Sequence, residues 1–146
     1  MSFPGKFNDS LMADQLRGGV AANICFGMSM LGGKPYLIAA VGHDFDEYRE
    51  WLEKHGTICD QVHTSIKAHT ARFMCTTDQE QNQIASFYPG AMSESRELDL
   101  EVVAKRVGGL DLVLIGADDP DAMIAHSQTC KRLGIPFVAD PSQQLP

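Results

Sequence analysis

An α/β fold built on a mostly parallel sheet, with a small β lid, is predicted by three features of the chain. Apolar segments of strand length at residues 36–41, 110–115 and 135–139 recur between helical patterns. Near-continuous apolar strands of this kind belong to sheets covered by helices on both faces. Between residues 70 and 88 the alternation gives way to two β-rich segments around a polar turn, which reads as a hairpin interrupting the pattern.

The elements follow in order. Residues 1–17 show no sustained period and read as irregular, whereas residues 18–31 read as a buried helix stopped by Gly32-Gly33. Residues 36–41 form the first strand, ending at Gly42, and Asp44 suits the cap of the next helix. On that helix Phe45, Tyr48, Trp51 and Leu52 recur on one face before Gly56 ends it. Residues 57–64 read as a short strand with Cys59 inward, and residues 70–76 and 83–88 as the hairpin strands around the turn 77–82. Residues 93–107 carry helical spacing at Leu98, Val102 and Val107, followed by the buried strand 110–115. Asp118 or Asp119 caps a helix over 120–133 that Gly134 stops, and the last strand, 135–139, runs into Asp140-Pro141-Ser142-Gln143-Gln144. Ligands in such folds bind beyond the carboxyl ends of strands. The Asp140 loop, the Gly42-His43-Asp44 turn and the Asp118-Asp119 turn all fall there.

Composition narrows the function classes. A chain of 146 residues suits one domain with a core of its own. A net charge of −7 leaves no broad basic field to neutralise phosphates, so no nucleic-acid partner is expected. No apolar run approaches the roughly 18 residues needed to span a bilayer, and residues 1–9 lack the apolar region of a secretory signal. No membrane partner is expected. The four cysteines have no C-x-x-C spacing, which predicts neither a zinc site nor a disulfide framework; a reduced, cytoplasmic protein is the simplest expectation.

The most informative stretch is Arg17-Gly18-Gly19-Val20-Ala21-Ala22-Asn23, running into the apolar helix. Two glycines let the backbone approach a ligand and leave helix N–H groups facing it, and Asn23 adds an amide that both donates and accepts. Such a start suits a polyol or a phosphate, and equally a tight turn before a buried helix.

With Leu31-Gly32 and Val41-Gly42-His43-Asp44-Phe45, this stretch resembles the ribokinase-like (PfkB) family of sugar and nucleoside kinases. Three further segments are similar to the adenosine kinases of mycobacteria and related actinobacteria: His69-Thr70-Ala71-Arg72-Phe73, the run from Gln83-Ile84-Ala85-Ser86-Phe87-Tyr88 to Pro89-Gly90-Ala91-Met92-Ser93, and Ala139-Asp140-Pro141-Ser142-Gln143-Gln144. The resemblance covers essentially the whole chain and implies a partial ribokinase-like three-layer sandwich. Residues 1–146 would be the substrate-binding part, with lid elements around 1–17 and 65–90.

The resemblance also implies roles. Gly18, Gly19 and Asn23 would bind ribose, Gly19 and Asn23 its hydroxyls. Phe73 and Phe87 would stack on a purine, and Gln143 and Gln144 would read its edge. The expected ligand is a purine nucleoside, and a homodimer through lid strands is plausible. Read by themselves, Phe73 and Phe87 fit a lid core, Gln143-Gln144 an ordinary polar loop, and Arg72 either an anion contact or a solvated strand residue. His69 reads as a structural histidine at a loop edge, and the resemblance assigns it no chemistry.

Against the family pattern, an acidic sugar-binding segment, a stretch of lid between Leu16 and Arg17, and the Gly-x-Gly-Asp segment with its catalytic base and anion hole have no counterpart here. Neither a Walker-type loop nor a protein-kinase Gly-rich loop is present. The complete enzyme would be an adenosine kinase using ATP and magnesium; the alternatives are another PfkB sugar or ribonucleoside kinase, or a truncated non-catalytic nucleoside-binding module. The 146-residue polypeptide is expected to hold nucleoside, to bind neither cofactor tightly and to lack kinase activity.

Overall fold

The computed structural model describes residues 16–142, in the order α1 (Val20–Met30), β1 (Ala40–Gly42), a 3₁₀ turn (His43–Phe45), α2 (Asp46–Lys54), β2 (His63–Ser65), β3 (Arg72–Thr77), β4 (Gln83–Tyr88), a 3₁₀ segment (Gly90–Glu97), α3 (Leu100–Val107), β5 (Val113–Ile115), α4 (Pro120–Leu133) and β6 (Phe137–Ala139). β1 pairs parallel with β2, and β5 with β6, while β3 and β4 form an antiparallel hairpin. The expected α/β class with mostly parallel pairing is present.

One buried cluster lies in the first half of the chain, and further buried residues, among them Leu100, Ala122 and Cys130, lie in the second. Ala22 and Cys25 of α1 pack with Leu37, Val41, Phe45, Leu52 and Cys59, and Phe26, Tyr48 and Trp51 close around them. Phe26 and Trp51 meet with ring centroids 4.7 Å apart, in the range favourable for aromatic pairs. Cys59 is inward as expected, and burial pushes its thiol up to about 11.

Several local expectations change. The strand foreseen over 36–41 is interrupted: Tyr36 bridges Ile58, but the continuous ladder starts only at Ala40, opposite His63. Between these points the second strand carries one more residue than the first, and the surplus is absorbed in a turn closed by Val62 N–H on the Cys59 carbonyl (3.1 Å). The helix foreseen over 93–107 is split, because Asp99 caps a new helix by accepting from the Glu101 and Val102 N–H groups. α1 is buried only at Ala22 and Cys25, while Met28, Met30 and Leu31 reach solvent. Strand 110–115 shrinks to β5, with Ile115 its only buried residue, and β6 is exposed throughout. The cap at Asp119, which accepts from Ala122 N–H, and the stop at Gly134 stand where expected.

Candidate functional site

The start of α1 is a donor-rich end without a side-chain cap. Gly19 occupies the N-cap position at φ 96°, a backbone conformation that a Cβ disfavours, and no acidic residue sits in the first turn. Its leading N–H groups therefore lack helical acceptors. Asn23 closes the first helical bond onto the Gly19 carbonyl (3.0 Å), and the residue is solvent-exposed.

Two elements hold this end. The buried Gly116, directly after β5, packs so closely that a Cβ there would lie 3.3 Å from Val20 Cγ1 and 3.4 Å from the Ala21 nitrogen. Asp140, directly after β6, donates its N–H to the Ile115 carbonyl (2.8 Å). The carboxyl end of β5, with β6 beside it, thus meets the start of α1, where an α/β sheet places its ligand. From the other side, the Tyr48 hydroxyl of α2 donates to the Gly18 carbonyl (3.2 Å). The Arg17 guanidinium lies 5.1 Å from the Trp51 ring centroid and 3.5 Å from the Glu47 carboxylate.

The hairpin supplies the second half of the predicted site. Its register sets Phe73 directly opposite Phe87, so the two rings share one face, and both are largely solvent-exposed. Every residue of β3 and β4 is exposed. Among the described residues no hydrogen bond joins the hairpin to α1. Gln143 and Gln144 lie outside the described residues, as do residues 1–15 of the expected lid.

Where sequence reasoning made Asp44 a helix cap, the structure makes it the anchor of the hairpin. Phe45 is the residue before α2, with no side-chain cap. The Asp44 carboxylate accepts from Thr70 N–H (2.8 Å), the Thr70 hydroxyl (2.8 Å) and the Arg72 guanidinium (2.7 Å), with His69 Nδ1 at 3.6 Å. Burial acts to raise its pKa, but the Thr70 and Arg72 hydrogen bonds outweigh it and hold the carboxyl well below the usual carboxylate range. Gly42 N–H donates to Thr70 Oγ1 (3.0 Å), and a Cβ at Gly42 would come within 2.5 Å of the Ala68–His69 backbone. On the far side Ala91 N–H donates to the His69 carbonyl (2.9 Å).

Upstream, Ser65 accepts from Lys67 and Ala68 N–H and donates to Glu94 (2.7 Å), which also binds His63 Nε2 (2.8 Å). The bonds from Ser65 and then His63 lower the Glu94 pKa. The sequence signal for the hairpin anchor was an Asp just past a strand-ending Gly, together with the His69-Thr70-Ala71-Arg72 cluster.

The remaining candidates are structural. Asp119 caps α4 and pairs with Arg96 (2.5 Å), while burial raises the pKa of its neighbour Asp118. Arg72 is committed to Asp44. A groove of about 350 Å³ between β2 and α3 contains none of the predicted site residues. No group of three or more His, Cys, Asp or Glu among the described residues could hold a metal ion.

Residues 14–145 match the profile of the pfkB family carbohydrate kinases. A nucleoside kinase of Methanothermobacter thermautotrophicus is 33% identical over 132 residues, covering 89% of this chain and 42% of that protein. The solved Burkholderia thailandensis nucleoside kinase in complex with inosine superposes with a TM-score of 0.77 at 32% identity, over 88% of this chain and 42% of that one. Thermotoga maritima ribokinase shares the fold, with a TM-score of 0.67 at 22% identity over 87% of this chain and 41% of its own. The chain thus spans about two-fifths of the length of these relatives.

Proposed function

From the premise that this chain belongs to the pfkB family of carbohydrate kinases, we propose that it is the nucleoside-holding portion of a ribonucleoside kinase, with adenosine the preferred acceptor. The observation that carries this reading is the register that sets Phe73 against Phe87 on one face of an exposed hairpin. Two aromatic rings side by side favour a flat base over a bare sugar. Nucleoside kinases at 32% and 33% identity, one solved with inosine, support the same class.

In this reading the open N–H groups after Gly18 and Gly19 and the Asn23 amide take the ribose hydroxyls, and Phe73 and Phe87 cover the base. Gln143 and Gln144 are proposed at its edge. Holding the nucleoside fixes the 5′-hydroxyl as the phosphoryl acceptor, the positioning that such transfers depend on. Magnesium and ATP would supply the phosphoryl group and neutralise its charge. The described residues include no group of three or more His, Cys, Asp or Glu suited to the metal, so no step is assigned to them through it. A cytoplasmic site of action and pairing of two copies through the exposed hairpin edge are proposed with the same reading.

The test is calorimetric titration of the 146-residue chain with adenosine, inosine, ribose and fructose. Stacking contributes about 1–3 kcal/mol per base, so nucleosides should bind at least about fivefold more tightly than sugars. Equal affinities for adenosine and ribose would overturn the reading. With MgATP and adenosine the same polypeptide should form no AMP above background; turnover would refute that part alone.

A further inference from the structure

We infer that the turn from Gly42 to Tyr48 is a bracket that sets the aromatic hairpin relative to the start of α1, with Asp44 and Tyr48 as its two positioning residues. The inference rests on the nucleoside-holding reading above and adds to it the residues that set the gap between its two halves.

The two halves of the site are joined by no hydrogen bond to each other among the described residues, yet each is bound to this one short segment. At its first end Gly42 and Asp44 grip the hairpin root through Thr70 and Arg72. At its last end Tyr48 binds the Gly18 carbonyl and Glu47 faces Arg17. Between them Phe45 is buried in the core and touches Tyr48 edge-on at 5.3 Å, which stops the segment from flexing as a free loop.

The grip also has a direction. Successive strand side chains point to opposite faces, so fixing Arg72 on Asp44 commits its neighbour Phe73 to the other face, and cross-strand pairing carries Phe87 with it. Asp44 acts on the rings through Arg72 and the strand alternation.

The experiment compares the wild-type chain with Asp44→Asn, Arg72→Gln and Tyr48→Phe, using adenosine and ribose as probes and amide hydrogen exchange as a second readout. Asp44→Asn should weaken adenosine binding about tenfold, since a hydrogen bond to a charged group is lost, and leave ribose binding unchanged. Exchange across residues 71–88 should quicken while α4 keeps its protection. Arg72→Gln, a change at an exposed side chain, should shift both readouts the same way by less. Tyr48→Phe should weaken adenosine and ribose alike, by about threefold.

Unchanged adenosine affinity with unchanged hairpin exchange in both Asp44→Asn and Arg72→Gln overturns the bracket. A uniform rise in exchange that includes α4 also overturns it, because Asp44 would then serve only general stability. If the wild-type chain binds no nucleoside, the function reading fails, and the exchange comparison still decides whether Asp44 holds the hairpin.

Discussion

The α1–β1–α2–β2 body and the β3–β4 hairpin are held by different forces. In the body Leu37, Leu52 and Cys59 are at most 2% exposed, and β1 is buried at all three of its positions. The hairpin has cross-strand partners at six positions and no buried residue. Two strands alone are marginal in water because they bury too little apolar surface. The hairpin therefore keeps its place through its polar root at Asp44 and Gly42, and its apolar face remains available. The body buries a cluster of apolar side chains, whereas those of the hairpin strands all stay exposed.

The largest expected effect lies in the body. Leu52→Ala empties a fully buried site and should cost about 2–5 kcal/mol of unfolding free energy, read by urea denaturation. A loss no larger than that of an exposed leucine would contradict the division.

Phe73→Ala and Phe87→Ala should do the reverse. Nucleoside affinity should fall by about 1–3 kcal/mol each, with the melting temperature unmoved, since both rings are exposed. A drop in melting temperature with affinity intact would place these rings in a core.

The smallest effect concerns pH. Asp44 has a folded-state pKa below its unfolded value, so its contribution is complete above about pH 4, the unfolded carboxylate range. It is lost only as pH falls through the depressed folded value. Hairpin exchange, corrected for intrinsic rates, should therefore stay level from pH 7 to about 4.5 and quicken only in stronger acid. Loosening already near pH 6 would show that the Asp44 carboxylate is not what holds the hairpin.

Where a local pattern and the tertiary environment agreed, the fold was legible in the residues. Gly18-Gly19 before an apolar run, Asp119-Pro120 at a helix start, and the alternating residues around 77–82 all mark elements within a residue or two of where they stand. The failures have physical causes. The break in the strand at 36–41 depends on one surplus residue in its partner, which no pattern in 36–41 itself records. Asp44 has the composition of a cap, and only the fold brings Thr70 and Arg72, more than twenty residues away, to claim its carboxylate. Likewise, burial of strand 110–115 was inferred from its apolar character, but β6 beside it is open. For the candidate site, the hairpin pattern put Phe73 and Phe87 on its two strands, whereas their direct pairing is set by the extra residue that β3 carries into the turn, Thr77 opposite Gln83. The bonds of Asp44 and Tyr48 to Thr70, Arg72 and Gly18 join positions far apart in the chain and were invisible.

Trp51 is the only tryptophan in the chain, and it sits on α2 with the Arg17 guanidinium over its ring and Phe26 and His55 against it. An indole's emission responds to the charge and polarity around it, so the molecule contains its own optical gauge at the α1 end of the bracket. A sugar hydroxyl settling at Gly18 and Gly19 would disturb Arg17 next door, and the colour of one fluorophore would register the event without any added label.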